Sequence, residues 1–144
     1  VAHNTVAGLS YPASYRCDRL FPVHPIAQVF AALAAVLHVV IFVMESVLWS
    51  KPAVWAKFGV ASQNDADITK PMAFSQGFYN LFLGIGIVVG LIVGGSAGDA
   101  IVYFACASIV GAALVLATGG AKYFRPAFVQ GITPLLALVL AAVL

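Results

Sequence analysis

Charge is what this sequence has least of. Of its 144 residues, seven are Lys or Arg and five are Asp or Glu, 8% in all, against about a quarter in an ordinary soluble domain. So few charges cannot cover a chain of this size in water. The net charge of +2 is spread over short connecting segments, which argues against a nucleic-acid-binding face. Cysteine is nearly absent too: Cys17 and Cys106 are far apart in the chain, with neither the spacing of a metal site nor the number of a disulfide framework. Of three histidines, His24 falls at the edge of an apolar run and only His38 lies within one, so no second ligand accompanies it for a metal or haem. No Gly-rich turn leads from a strand into a helix, which removes a phosphate loop. No Ser/His/Asp or Cys/His set can be assembled; Ser46 merely adjoins Glu45, and Ser75 has no evident base. An intramembrane enzyme is therefore the least expected class, and no catalytic residue, metal or cofactor is assigned.

What is present is apolar length. Hydrophobic residues make up 62% of the chain and the mean hydropathy is +1.03, so lipid is the expected solvent. Four runs are long enough to cross a bilayer as helices: about 26–48, 74–93, 100–118 and 128–144. They are continuous and do not alternate, which favours helices over barrel strands. The expectation is an all-α, four-helix transmembrane bundle over 23–144, preceded by a polar, aperiodic tail, 1–22, with no signal-peptide core. The initial Val fits a GTG start or a trimmed chain, and Val23 is a second candidate start. Pro71 suits the first turn of the second helix, and Pro134 falls inside the fourth run. Trp49, Trp55 and Phe58 suit a short segment anchored at the membrane interface.

Orientation follows from Lys and Arg. Lys51, Lys57, Lys70, Lys122 and Arg125 lie in or beside the first and third connections; Arg16 and Arg19 lie in the tail, and the second connection, GGSAGD, has none. The bias places the first and third connections in the cytoplasm and both termini outside, in a cell's inner (plasma) membrane.

The polar exceptions within the runs carry the functional information. His38 and Glu45 are seven apart, nearly on one helical face, and Ala31 and Ala35 mark that face as one that meets a neighbour. Gln76 and Asn80 are four apart on the second run, and Gln130 opens the fourth. With alternating helix directions, Glu45, Gln76 and Gln130 all fall about one turn inside the same interface. Asn80 falls about 6 Å deeper, and His38 about 10 Å deeper than Glu45. A carboxylate in hydrocarbon costs several kcal/mol, so Glu45 is expected to accept hydrogen bonds from these amides, to pair with a cation of the connections, or to stay protonated. The five residues form a candidate binding cluster for a small polar solute or a proton. The alternative is a structural role, in which they fix helix register within an accessory subunit. Gly86, Gly90 and Gly94 form a GxxxGxxxG line that permits close packing within the chain or in a homo-oligomer or larger complex.

Three stretches carry a resemblance. LHVVIFVMESVLW, SQGFYNLFLGIG and FVQGITPLLALVL are similar, in order and spacing, to segments of a small bacterial membrane family catalogued as domain of unknown function 1304. Its members often read LEMFLW, NQGLYNGFLAAG and VQGLPALLALLL there. The resemblance runs from about Val23 to the C-terminus, with the third run weakest. It implies a four-helix membrane protein without an assigned activity, and its matching polar positions are His38, Glu45, Gln76, Asn80 and Gln130. The chain departs from the pattern at Leu37, where a glutamate often precedes the histidine, at Ser75, which replaces an Asn, and at Val39 and Val40, which lack the usual aromatic.

Overall fold

The structure, a computed structural model, describes residues 23–144 and, ahead of them, a two-residue antiparallel pairing of Thr5–Val6 with Leu9–Ser10. The remainder of the expected tail, with Cys17, Arg16 and Arg19, lies outside the described residues.

Five helices follow. Helix α1 is Pro25–Phe42, prolonged by a π-helical turn at Val43–Val47; α2 is the short Pro52–Trp55; α3 is Gln63–Val93; α4 is Gly95–Thr118; α5 is Phe124–Val143. All but α2 are long and apolar enough to cross a membrane. They close into a four-helix bundle in which α1 packs on α3 and α5, α4 packs on α3 and α5, and the diagonal pairs barely touch. Phe82, Ile92, Phe104 and Val115 project outward and exposed, as a lipid-facing surface requires. The chain is thus an all-α multi-pass membrane protein.

Small residues set the packing. Ala27, Ala31, Ala34 and Ala35 form the buried face of α1. Gly90 of α3 and Gly98 of α4 meet backbone to backbone: a β-carbon on Gly90 would sit 2.8 Å from the Gly98 carbonyl oxygen and 2.8 Å from Val102 Cγ2. The close approach available to the GxxxGxxxG line is used here between α3 and α4 of one chain. Gly86 makes only an ordinary contact, with Ala105, and Gly94, at φ +60°, belongs to the turn that joins the two helices. Ile87, Cys106 and Ile109 fill the bundle centre, fully buried.

Three expectations are corrected. Pro71 lies inside α3, not at its start, because the helix begins earlier. Ser62 is the N-cap: its Oγ accepts from the Asp65 amide at 3.1 Å and donates to the Asp65 carboxylate at 2.7 Å, a capping-box pattern. The missing N–H of Pro71 leaves one carbonyl unpaired, and the flanking polar turn tolerates it. Trp49 is a buried clasp and not an interfacial anchor. Its Nε1–H donates to the Ala66 carbonyl at 2.9 Å, and its ring meets Phe58 at 5.3 Å between centroids. It thereby ties the end of α1 to the extension of α3. Finally, α4 starts at Gly95, so Asp99 is a helical residue, buried, with Oδ2 unpartnered. Pro134 lies within α5 as expected and is fully buried.

Candidate functional site

Glu45 occupies the π-helical turn. The Leu48 amide donates five residues back, to Val43 O, at 2.9 Å. This wider turn advances each residue by less than the α-helical 100°, so neighbours that would diverge on an α-helix both reach α3. Ser46 Oγ donates to the Phe74 carbonyl at 2.9 Å, and Glu45 Oε2 accepts from Asn80 Nδ2 at 2.9 Å. Gly77 makes room between these two contacts. A β-carbon there would overlap Ser46 Oγ and approach Glu45 Cβ to 3.1 Å and Phe42 O to 3.2 Å. Phe42 and Phe78 close the seam edge to face, 5.1 Å between centroids.

The Glu45–Asn80 bond crosses from α1 to α3 and is buried. Asn80 Nδ2 also donates to Gln76 O on its own helix, at 3.1 Å. The amide nitrogen is therefore shared, one N–H going to the carboxyl group of Glu45 and the other to the Gln76 carbonyl.

Beside this bond the bundle holds a cavity of about 910 Å³. Its polar wall is Glu45, Ser75, Gln76, Asn80 and Gln130. Lys57 and Arg125 stand in the wall at the end where the first and third connections lie. Leu37, Ile41, Leu83, Ala112 and Leu116 are among its apolar lining. Val40, Met72, Tyr79 and Val129 also line it and are exposed, so the space is open to its surroundings. A second space, of about 300 Å³, adjoins it and shares Glu45, Phe58, Met72, Gln76, Leu116 and Pro126. Glu45 sits in the wall of both.

Four of the five residues selected from the sequence, Glu45, Gln76, Asn80 and Gln130, thus line one cavity. His38 does not. It points into the bundle, as its spacing from Glu45 requires, but it is fully buried against Gly84, whose β-carbon, if present, would lie 3.6 Å from His38 Cβ. Its Nδ1 pairs with the Ala34 carbonyl at 2.8 Å, and its Nε2 has no partner. Among the described residues, no three His, Cys, Asp or Glu side chains come together as a metal site would need.

The sequence reading missed Lys57 as a wall residue, the π turn and Gly77. Leu37 and Ser75, two of the departures from the resemblance, also line the cavity.

No curated protein and no solved structure matches the chain. The sequence profile of one family matches residues 32–142, a range that covers most of the first spanning helix, the other three almost entire, and every residue of the polar cluster. The chain belongs to the family described as protein of unknown function (DUF1304).

Proposed function

We propose that the protein is a membrane-embedded binding protein of the inner (plasma) membrane, with both termini outside and the cavity open towards the cytoplasm. It takes a small solute against Glu45, Gln76, Asn80 and Gln130. The observation that carries this reading is the open space of about 910 Å³ beside a buried, hydrogen-bonded carboxylate. A volume of that order suits a small-molecule site, and apolar walls with a few convergent polar groups are what such sites are made of. Intramembrane ionisable residues that face a cavity commonly mark solute or ion sites. Binding is favoured over conduction by the packing beyond the cavity, where His38, Ile87, Cys106 and Ile109 are fully buried. A path through the bundle would have to displace them.

The rival reading is an accessory subunit in which the polar cluster only fastens α1 to α3. It draws support from the Glu45–Asn80 bond itself. It differs in requiring no solvent in the cluster. Cysteine accessibility separates the two. Ser75 is an exposed wall residue, so Ser75→Cys, in a chain with Cys17→Ser and Cys106→Ala, is expected to react with a membrane-impermeant thiol reagent in inside-out vesicles. Right-side-out vesicles should protect it. Protection in both preparations would overturn the open cavity, and reaction only from outside would overturn the orientation.

A further inference from the structure

We infer that the solute is an anionic amphiphile: a phosphate or carboxylate head joined through a hydroxyl-bearing segment to a single apolar chain. This rests on the cavity being a binding site, as proposed above.

The cavity is graded along the bundle axis. Lys57, in the first connection, and Arg125, at the start of α5, mark its outer end. The hydrogen-bonding ring of Glu45, Gln76, Asn80 and Gln130 comes next. The direction of each helix then places Leu37, Leu83 and Ala112 deeper; Leu37 is eight residues from Glu45, about 12 Å of helical rise. The lining thus passes from cationic to hydrogen-bonding to apolar.

Each zone restricts the ligand. Two cations face one carboxylate in the wall. The other described acids are engaged or remote: Asp65 and Asp67 bond to Ser62 and Gln63 at the start of α3, and Asp99 lies at the opposite end of the bundle. The outer zone therefore favours an anion, and Arg is suited to grip phosphate or carboxylate oxygens in pairs. Glu45 has one oxygen bound to Asn80 and acceptor capacity left on the other. It calls for a neutral donor, and a hydroxyl supplies one without bringing a second positive charge towards Lys57 and Arg125. The deep zone has only apolar side chains to offer, so a solute without a chain would leave that surface to water. The open side wall, with Met72 and Tyr79 exposed, gives a membrane-dissolved molecule a lateral way in.

The test is saturable binding of radiolabelled 1-acyl-glycerol 3-phosphate to the full chain in phosphatidylcholine nanodiscs, with binding to empty nanodiscs subtracted. The expected result is one site per chain. The paired substitution Lys57→Gln/Arg125→Gln should weaken it about ten-fold or more, the loss of two charge-assisted contacts at a wet rim. Ala112→Phe, which fills the deep end, should abolish it, and Leu83→Trp, in the same deep zone, does the same service if that variant does not fold. Inorganic phosphate and dodecyltrimethylammonium should compete poorly. Equal competition by inorganic phosphate, with no effect of Ala112→Phe, would show a head-only site and overturn the amphiphile while sparing the binding reading. Saturable binding of dodecyltrimethylammonium that depends on Glu45 would likewise reverse the charge and leave the site. Saturable binding of none of the three probes would overturn both.

Discussion

The Glu45–Asn80 bond makes an asymmetric prediction. Asn80 has two acceptors, Glu45 Oε2 and the Gln76 carbonyl, whereas Glu45 has Asn80 as its hydrogen-bond partner across the helix interface. Removing the acid by Glu45→Leu leaves the amide one partner. Removing the amide by Asn80→Leu leaves a buried carboxyl group facing the cavity alone. A donor or acceptor stranded by loss of its partner costs about 1–3 kcal/mol, more when it is charged. Two effects moderate that figure here. Interhelical bonds in membranes average about 0.6 kcal/mol and reach about 1.7, because the unfolded reference also finds partners. Water in the cavity can also replace part of what Asn80 supplied. Between these limits the coupling between the two sites should be about 1–2 kcal/mol. Asn80→Leu should be the more damaging single change, and Glu45→Leu/Asn80→Leu should cost clearly less than the sum of the singles.

The assay is reversible unfolding in mixed micelles with increasing mole fraction of dodecyl sulfate, followed by far-ultraviolet circular dichroism, for the four chains of the cycle. Distant, independent sites add to within about 0.3–0.5 kcal/mol. A coupling energy inside that band would refute the reasoning, because the acid and the amide would then not be partners in the folded protein. Equal damage from the two singles would refute the narrower point that the Gln76 carbonyl supports Asn80.

The other predictions use the same unfolding measurement unless stated. Gly90→Ala should destabilise by about 1–3 kcal/mol, since its β-carbon meets the Gly98 carbonyl and Val102 at 2.8 Å. Gly111→Ala, with nothing within 4 Å, should be neutral or slightly stabilising; equal penalties at both sites would show that the close contact is not the cause. Trp49→Phe keeps the ring against Phe58 but loses the bond to Ala66 O, and should cost about 1 kcal/mol. No change would mean that the clasp is not formed. In a strain lacking the gene, Glu45→Leu should be made and assembled yet fail to restore whatever phenotype the deletion produces; full rescue would remove the cavity as a working site.

The fold is legible because its signals are long and redundant. Four apolar runs, three polar breaks and a shortage of charge all point one way, and lipid leaves the backbone few alternatives to helix. The depth of the polar cluster is legible for a related reason. Rise per residue is constant, so antiparallel helices entering from one surface put Glu45, Gln76 and Gln130 at one level with no knowledge of packing. What fails is local. The start of the second helix is missed because hydropathy ranks Ser62 to Lys70 as connection, while the capping pair Ser62 and Asp65 marks a helix that hydropathy does not see. Trp49 is read as an anchor because a tryptophan at a span's end usually is one. Its partner, Ala66 O, is a backbone atom and leaves no trace in sequence.

The π turn is the instructive failure, because it decides what Glu45 can touch. On an α-helix Ser46 would point about 100° away from Glu45, and one of the two would have to give up α3. The sequence VMESV carries no signature of the wider turn; nothing in it breaks a helix. The cause lies on the other side of the seam. Gly77 lets α1 come close enough for Ser46 to reach the Phe74 carbonyl while Glu45 reaches Asn80, and the turn widens to satisfy both. Gly77→Ala therefore tests the arrangement from the partner helix. Its β-carbon would collide with Ser46 Oγ and crowd Glu45 and the Phe42 carbonyl, so relief must come from moving the turn itself. Ser46→Ala removes the first collision, and the pair Ser46→Ala/Gly77→Ala should recover part of the stability that Gly77→Ala loses. If Gly77→Ala is silent in the unfolding assay, or Ser46→Ala offers no relief, the turn is not held by this contact, and the position of the acid needs another cause.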